Sequence, residues 1–264
     1  MQSVCNLHRL GSVSYEKAWR LQDRLAAEIS AGVRPATLLL LEHPHTYTFG
    51  RRGKAENLLW DQAELDRRGV SVHWVDRGGD VTYHGPGQLV GYPLLPLGLG
   101  QMVPAPADGL GATRLARLPQ ADYVGYLRKL ESMLSAALAR LGVPSGQIPG
   151  LTGVWVQPDA ASHCRDCPPE IRQLSGREIP AKIAAIGVKV DARGVSRHGF
   201  ALNVDPDMAY WEGIVGCGLK DYPVASLSDF LQPPPEMDQV YTAVAAAFAD
   251  VFEYRLVENT LSWN

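Results

Sequence analysis

Residues 70–95 constrain the fold more tightly than any other stretch of the chain. Val70, Val72 and Trp74 alternate with other residues, and the run 88–95 is apolar. Both patterns predict strands. Between them lies Arg77-Gly78-Gly79-Asp80-Val81-Thr82-Tyr83-His84-Gly85-Pro86-Gly87, where four glycines and a proline punctuate a short apolar-aromatic segment. Glycine admits positive φ and lets a ligand approach the main chain without a Cβ in the way. The stretch therefore predicts a loop between two strands, forming either one wall of a binding cleft or a plain glycine-rich hairpin.

The flanking patterns supply the scaffold. Ala18, Leu21, Leu25 and Ile29 recur at spacings of three and four, which predicts an amphipathic helix over 14–31 capped by Ser14. The aliphatic run 36–41 reads as a buried strand ended by Pro44, and 45–49 alternates as another. Residues 96–120, rich in Gly, Pro and Ala, and the polar, proline-containing 157–180 predict surface excursions. Between them, Asp122 caps a helix with Val124, Leu127, Leu130, Leu134, Leu138 and Leu141 on its apolar face, stopped by Gly142 and Pro144. Residues 153–156 form a short strand. Residues 183–190 and 195–204 form a hairpin across Asp191-Ala192-Arg193-Gly194. A last helix over 235–252 turns Val240, Val244, Phe248, Val251 and Phe252 inward. Strands and helices interleave without a regular βαβ rhythm, which predicts an α/β fold: a mixed β-sheet with packed helices.

With 264 residues, 46% of them hydrophobic, the chain can bury a large core, and one domain over 1–264 is expected. A net charge of −3 gives no basic surface for nucleic acid. The first residues lack a signal pattern, and no apolar run is long enough to span a bilayer, so a cytoplasmic protein without a membrane partner is expected. Four cysteines do not make a disulfide framework in a chain of this length.

Several residues could carry chemistry. Cys217 is flanked by Gly216 and Gly218, which expose the sulfur and free neighbouring N–H groups for an oxyanion; the alternative is a small buried hydrophobe. Lys182 begins an apolar strand. By parity it shares a face with Ala184, Ile186, Val188 and Val190, and it is either snorkelling to water or held where its charge is used. An ammonium near a thiol favours the thiolate, but the fold alone can join residues this far apart. His84 and His198 each precede a glycine and suit either ligand orientation or the core. His163-Cys164-Arg165-Asp166-Cys167 offers a C-x2-C without the second pair a structural zinc needs, so no metal is expected.

Five segments, taken together and in order, resemble the octanoyltransferases of lipoate biosynthesis: 77–93 (RGGDVTYHGPGQLVGYP), 153–156 (GVWV), 182–190 (KIAAIGVKV), 198–204 (HGFALNV) and Cys217-Gly218. The resemblance implies a fold like that of biotin and lipoate protein ligases. It implies Cys217 and Lys182 as the catalytic pair. It also implies an acyl site lined by Arg77, Gly78, Gly79, Asp80, Val81, Thr82, Tyr83, His84, Ala185, Ile186, Gly187, Gly199, Phe200 and Ala201. The implied donor is octanoyl-acyl carrier protein. The implied acceptors are lysines on lipoyl domains of 2-oxoacid dehydrogenases or of the glycine-cleavage H protein, with no cofactor. Gly216 departs from the family pattern, which usually has proline there, and both excursions are longer than usual. The competing readings are an ATP-dependent lipoate protein ligase, a non-catalytic module that binds lipoyl domains or acyl carriers, and a zinc module built on residues 163–167.

Overall fold

The computed structural model describes residues 3–98, 122–156, 180–216 and 222–261. Along the chain run β1 (Ser3–Ser12), α1 (Tyr15–Ser30), β2 (Ala36–Glu42), β3 (Thr46–Phe49), α2 (Gln62–Arg68), β4 (Ser71–Trp74), β5 (Val81–His84) and β6 (Gln88–Leu94). They are followed by α3 (Tyr123–Arg140), β7 (Gly146–Ile148), β8 (Leu151–Val156), β9 (Ala181–Val190), β10 (Ser196–Asn203), α4 (Met237–Phe252) and β11 (Tyr254–Glu258).

Eight strands form one mixed sheet in the order β11-β1-β2-β6-β10-β9-β8-β7. β11, β1 and β2 run parallel, and the remaining neighbours are antiparallel. A second, three-stranded sheet has the order β4-β3-β5. The unbroken aliphatic run of β2 follows from burial on both faces. Leu38 and Leu40 join the core under α3 and α4, while Leu39 and Leu41 join the core under α1. Each such side chain contributes roughly 1.5–3 kcal/mol when taken from water.

The expected helices form with small corrections. Ser14 precedes α1 but makes no side-chain cap, and its carbonyl accepts from Ala18 N at 3.0 Å. Asp122 does cap α3, accepting from Gly125 N at 2.8 Å. Val124 is 67% exposed, and Tyr126 instead joins Leu130, Leu134 and Leu138 on the buried face of α3. In α4, Val240, Val244 and Phe248 are buried and Val251 and Phe252 pack against them. Five elements escape the sequence pattern: β1, α2, β5, β7 and β11. The short α2 buries a single side chain, Leu65, so it has no apolar stripe to read. β11 and β7 are the outer strands of the large sheet, where one edge has no neighbour among the described residues and alternation is weak.

The glycine-rich stretch is more than a loop. Its centre is β5, paired antiparallel with β3 in the small sheet, and the turn at Gly85-Pro86-Gly87 carries the chain into β6 of the large sheet. The two sheets are thus stitched together by this motif. Cys217 and Gly218, residues 163–167, and 99–120 and 157–179 of the expected excursions lie outside the described residues. No helix among the described residues is long and apolar enough to cross a membrane.

Candidate active site

A cavity of about 510 Å³ is walled by residues of both sheets, within the range of small-molecule sites. Arg77, Gly78, Gly79, Asp80, Thr82 and His84 line it from the glycine-rich stretch, Ala185, Ile186 and Gly187 from β9, and Gly199, Phe200 and Ala201 from β10. Two of the expected lining residues do not reach it. Val81 and Tyr83 are buried in the core of the small sheet with Tyr47 and Phe49. Alternation along β5 sends 82 and 84 one way and 81 and 83 the other.

Lys182 also lines the cavity, and a β-bulge puts it there. On β8, neighbours Val154 and Trp155 pair with Ala184 and Lys182 of β9, so Ile183 is the extra residue. A bulge turns two successive side chains to one side. Ile183 and Ala184 both enter the core with Val154, and Lys182 leaves the aliphatic row that strand parity assigns it. Its ammonium lies 4.8 Å from the centroid of the buried Trp155 ring. Gly153, at φ +124°, sits beneath it; a Cβ there would lie 2.7 Å from Ala184 O and 3.2 Å from Lys182 Cε.

The chain on either side of Cys217 is anchored close by. Lys182 N donates to Pro223 O at 2.9 Å, and Ala225 N donates to Lys182 O at 2.9 Å. Tyr222 meets the Trp155 ring edge-on at 5.2 Å between centroids. On the other side, Val215 N donates to Asn57 O at 2.9 Å, and Gly216 lies against the Trp211 ring, which a Cβ would approach to 3.0 Å.

A hydrogen-bonded row connects the cavity arginine to this anchor. Arg77 Nη2 donates to Thr48 O at 2.5 Å and to Thr48 Oγ1 at 2.9 Å. Thr48 Oγ1 stands 3.4 Å from His84 Nε2. His84 Nδ1 lies 2.8 Å from Gln88 Oε1, while Gln88 Nε2 donates to Tyr83 O at 3.0 Å and to Asn203 Oδ1 at 2.8 Å. Asn203 Nδ2 in turn donates to Ala225 O at 2.9 Å. With the Gln88 amide engaged at its nitrogen, its oxygen must accept, which assigns the His84 proton to Nδ1 and leaves Nε2 the acceptor.

Tyr15 and Tyr92 close the far wall among histidines. The His43 ring is tilted against Tyr15 with centroids 5.2 Å apart, its Nε2 2.7 Å from Tyr92 Oη and its Nδ1 2.6 Å from Val13 O. Burial pushes the His43 imidazole down to about 4, and burial followed by the neighbouring His43 puts His84 well below its ordinary value. Both are neutral near pH 7. His198, at φ +56°, is wedged between Tyr15 and Asp76, with Nε2 2.7 Å from Asp76 Oδ1. Burial lowers His198 against the opposing pull of Asp76, and the His198 hydrogen bond leads the effects that hold the Asp76 carboxyl well below the carboxylate range.

Tyr15, Tyr92, Leu127 and Arg52 line the cavity without any signal in the glycine-rich motif. Tyr15 could have been suspected, because helical spacing puts its hydroxyl on the buried face with Ala18 and Gln22. Cys5, the described free cysteine, is fully buried, and burial pushes its thiol up to about 12. Among the described residues no group of His, Cys, Asp and Glu has the geometry to hold a metal ion.

The chain is similar to known proteins in both sequence and fold. The lipoyl protein ligase A/B catalytic domain family matches residues 14–249. An octanoyltransferase of Chloroflexus aggregans is 40% identical over 97% of this chain and 98% of its own. That of Solibacter usitatus is 39% identical over 96% and 95%. In fold, the chain is similar to the bipartite lipoate protein ligase of Thermoplasma acidophilum, with a TM-score of 0.67 at 16% identity, covering 98% of this chain and 88% of that one. It is equally similar to a lipoate-protein ligase A solved with ATP, with a TM-score of 0.67 at 15% identity over 99% and 90%. Motifs, cavity and full-length similarity agree, and the chain belongs to the octanoyltransferases, acyltransferases of the lipoyl protein ligase A/B catalytic domain family.

Proposed function

We propose that this protein moves an octanoyl group from octanoyl-acyl carrier protein to a lysine Nε of a lipoyl domain, through a thioester on Cys217. The observation that carries this reading is the position of Lys182. A bulge turns it into the cavity wall, and its main chain is hydrogen-bonded on both sides to 223–225, which follow Cys217 in sequence. Cys217 itself lies outside the described residues.

The chemistry runs in two balanced steps. Lys182, as the amine, takes the thiol proton of Cys217. The thiolate attacks the donor carbonyl, the new C–S bond forms, and the carrier's thiolate leaves with the proton returned from Lys182. The acceptor amine then attacks the Cys217 thioester, the amide forms, the C–S bond breaks, and Lys182 takes the amine's proton. Because the donor arrives as a thioester, the sequence needs no ATP. Seven carbons beyond the carbonyl, buried at about 0.8 kcal/mol each, supply roughly 5–6 kcal/mol of selection for a medium chain. Val90, Ile186 and Phe200 offer apolar surface for them. Such a donor and acceptor fit a cytoplasmic setting.

Incubation with octanoyl-carrier protein should add one octanoyl mass to Cys217 that hydroxylamine removes. Cys217→Ser should lose that labile adduct, and Lys182→Ala should slow acylation while leaving donor binding largely intact. Lys182→Ala acylating as fast as the parent overturns the pair. Turnover that requires free octanoate and ATP favours the ligase reading instead.

A further inference from the structure

The turn leaving β3 carries two adjacent arginines, Arg51 and Arg52, and the second stands on the rim of the cavity. Arg52 both lines the cavity and is solvent-exposed, and Arg51 beside it is exposed. Their backbone is fixed against the glycine-rich stretch: Gly50 N donates to Asp80 O at 3.2 Å, Arg51 N to Arg77 O at 2.9 Å and Arg52 N to Gly79 O at 3.0 Å. The approach is close enough that a Cβ on Gly50 would fall 2.4 Å from Gly79 O. Free amide donors in this turn are therefore used up, and what it presents outward is side-chain charge.

That charge has no counter-ion among the described residues. Most described arginines pair with a carboxylate, as Arg9 does with Glu258, Arg140 with Asp250 and Arg197 with Asp76. Neither Arg51 nor Arg52 makes a side-chain hydrogen bond or ion pair with any described residue. The nearest acid in the motif, Asp80, is already committed. Its Oδ1 accepts from Val81 N at 2.7 Å and Lys54 N at 3.3 Å, and its Oδ2 accepts from Asn57 Nδ2 at 2.6 Å. A guanidinium fork on the rim of a partly apolar cavity, with a second exposed one on the preceding residue, in a chain of net charge −3, matches a ligand whose acyl end enters and whose anion stays outside. A free fatty acid has the opposite layout, with its charge on the reacting carbon.

We infer that Arg51 and Arg52 bind the phosphate of the phosphopantetheine arm that presents the acyl thioester. This rests on the thioester-donor reading above, and it adds the anion-binding subsite which that reading lacks. The contact acts on donor recognition, outside the reacting atoms.

The test compares two small donors, octanoyl-pantetheine and octanoyl-4′-phosphopantetheine, in the full-length protein. The parent should prefer the phosphorylated donor in kcat/KM, and Arg51→Gln/Arg52→Gln should shrink that preference about tenfold or more. Both residues are exposed, so the variant should melt with the parent. A preference that survives the double substitution overturns the inference. So does a variant that loses activity only with intact carrier protein, since the contact would then be with the carrier's acidic surface. A parent that turns over neither small thioester overturns the inference, and one that octanoyl-carrier protein also fails to acylate overturns the donor reading itself.

Discussion

The Lys182 ammonium lies 4.8 Å from the centroid of the Trp155 ring, and the two residues are paired across β9 and β8 at a bulge. A buried indole attracts a cation through its ring quadrupole, an effect of about 2 kcal/mol when desolvated. Trp155 thus positions the lysine over the cavity without touching substrate. Trp155→Leu, which stays apolar and removes the ring face, should slow single-turnover acylation about 10-fold with little change in KM. Trp155→Phe should recover most of the rate. Equal slowing in both variants, measured by quench-flow, would reduce the role of Trp155 to packing.

Thiol chemistry should distinguish two cysteines in this one chain. Cys5 is fully buried and its thiol is pushed up to about 12, so at neutral pH it carries almost no thiolate. Cys5→Ser should leave the labile octanoyl adduct in place, whereas Cys217→Ser should abolish it. Intact-mass spectrometry before and after hydroxylamine reads both.

Gly187 makes room for Arg77. A Cβ there would meet Arg77 Cδ at 2.9 Å and Gly78 O at 3.1 Å. Gly187→Ala should therefore displace the guanidinium and the wall it braces. A misplacement of this order costs about 100-fold in rate. The melting temperature should shift little, because the displaced groups line a cavity. A near-parental rate in steady-state assays would refute the fit.

Stability should fall on mild acidification. His43 is fully buried with its folded-state value lowered to about 4, and His84 lies well below its ordinary 6.5. The unfolded chain takes up these protons near 6.5 and the folded chain does not. The stabilisation is therefore complete above about pH 6.5 and is lost as the pH falls through about 4 for His43. For His43 alone the full effect is about 3 kcal/mol. Asp76 acts only lower, since its carboxyl is held below the usual 3.8. Urea unfolding between pH 7.5 and 4.5 should show the slope, and His43→Gln should flatten it.

Removing a link in the buried amide row should act at a distance. Asn203→Leu leaves Ala225 O without its side-chain donor and the Gln88 amide nitrogen with only Tyr83 O to donate to, and an orphaned buried carbonyl costs about 1–3 kcal/mol. Chemical denaturation should show that loss. Acylation by Cys217 should slow as well, because Ala225 also binds the Lys182 main chain.

Local pattern in the chain was enough to specify much of this molecule. The run 36–41 is aliphatic at every position because it is buried on both faces, and such a run is legible without a partner. The apolar periods of α1 and α4 likewise named their buried sides. The motifs at 77–93, 182–190 and 198–204, met in order, pointed to the family that full-length similarity then showed. What local pattern could not reach was pairing. Period two assigned Lys182 to the aliphatic row, but the extra residue at Ile183 exists only by reference to the opposite strand, and it reverses that face. The same applies to β11, which is a strand because β1 lies beside it, and to Tyr15, which enters the cavity wall because α1 packs over β10 and β6. Spacing along a chain encodes which side of an element is apolar. Which distant element answers it, and with what register, is decided only when the whole sheet closes.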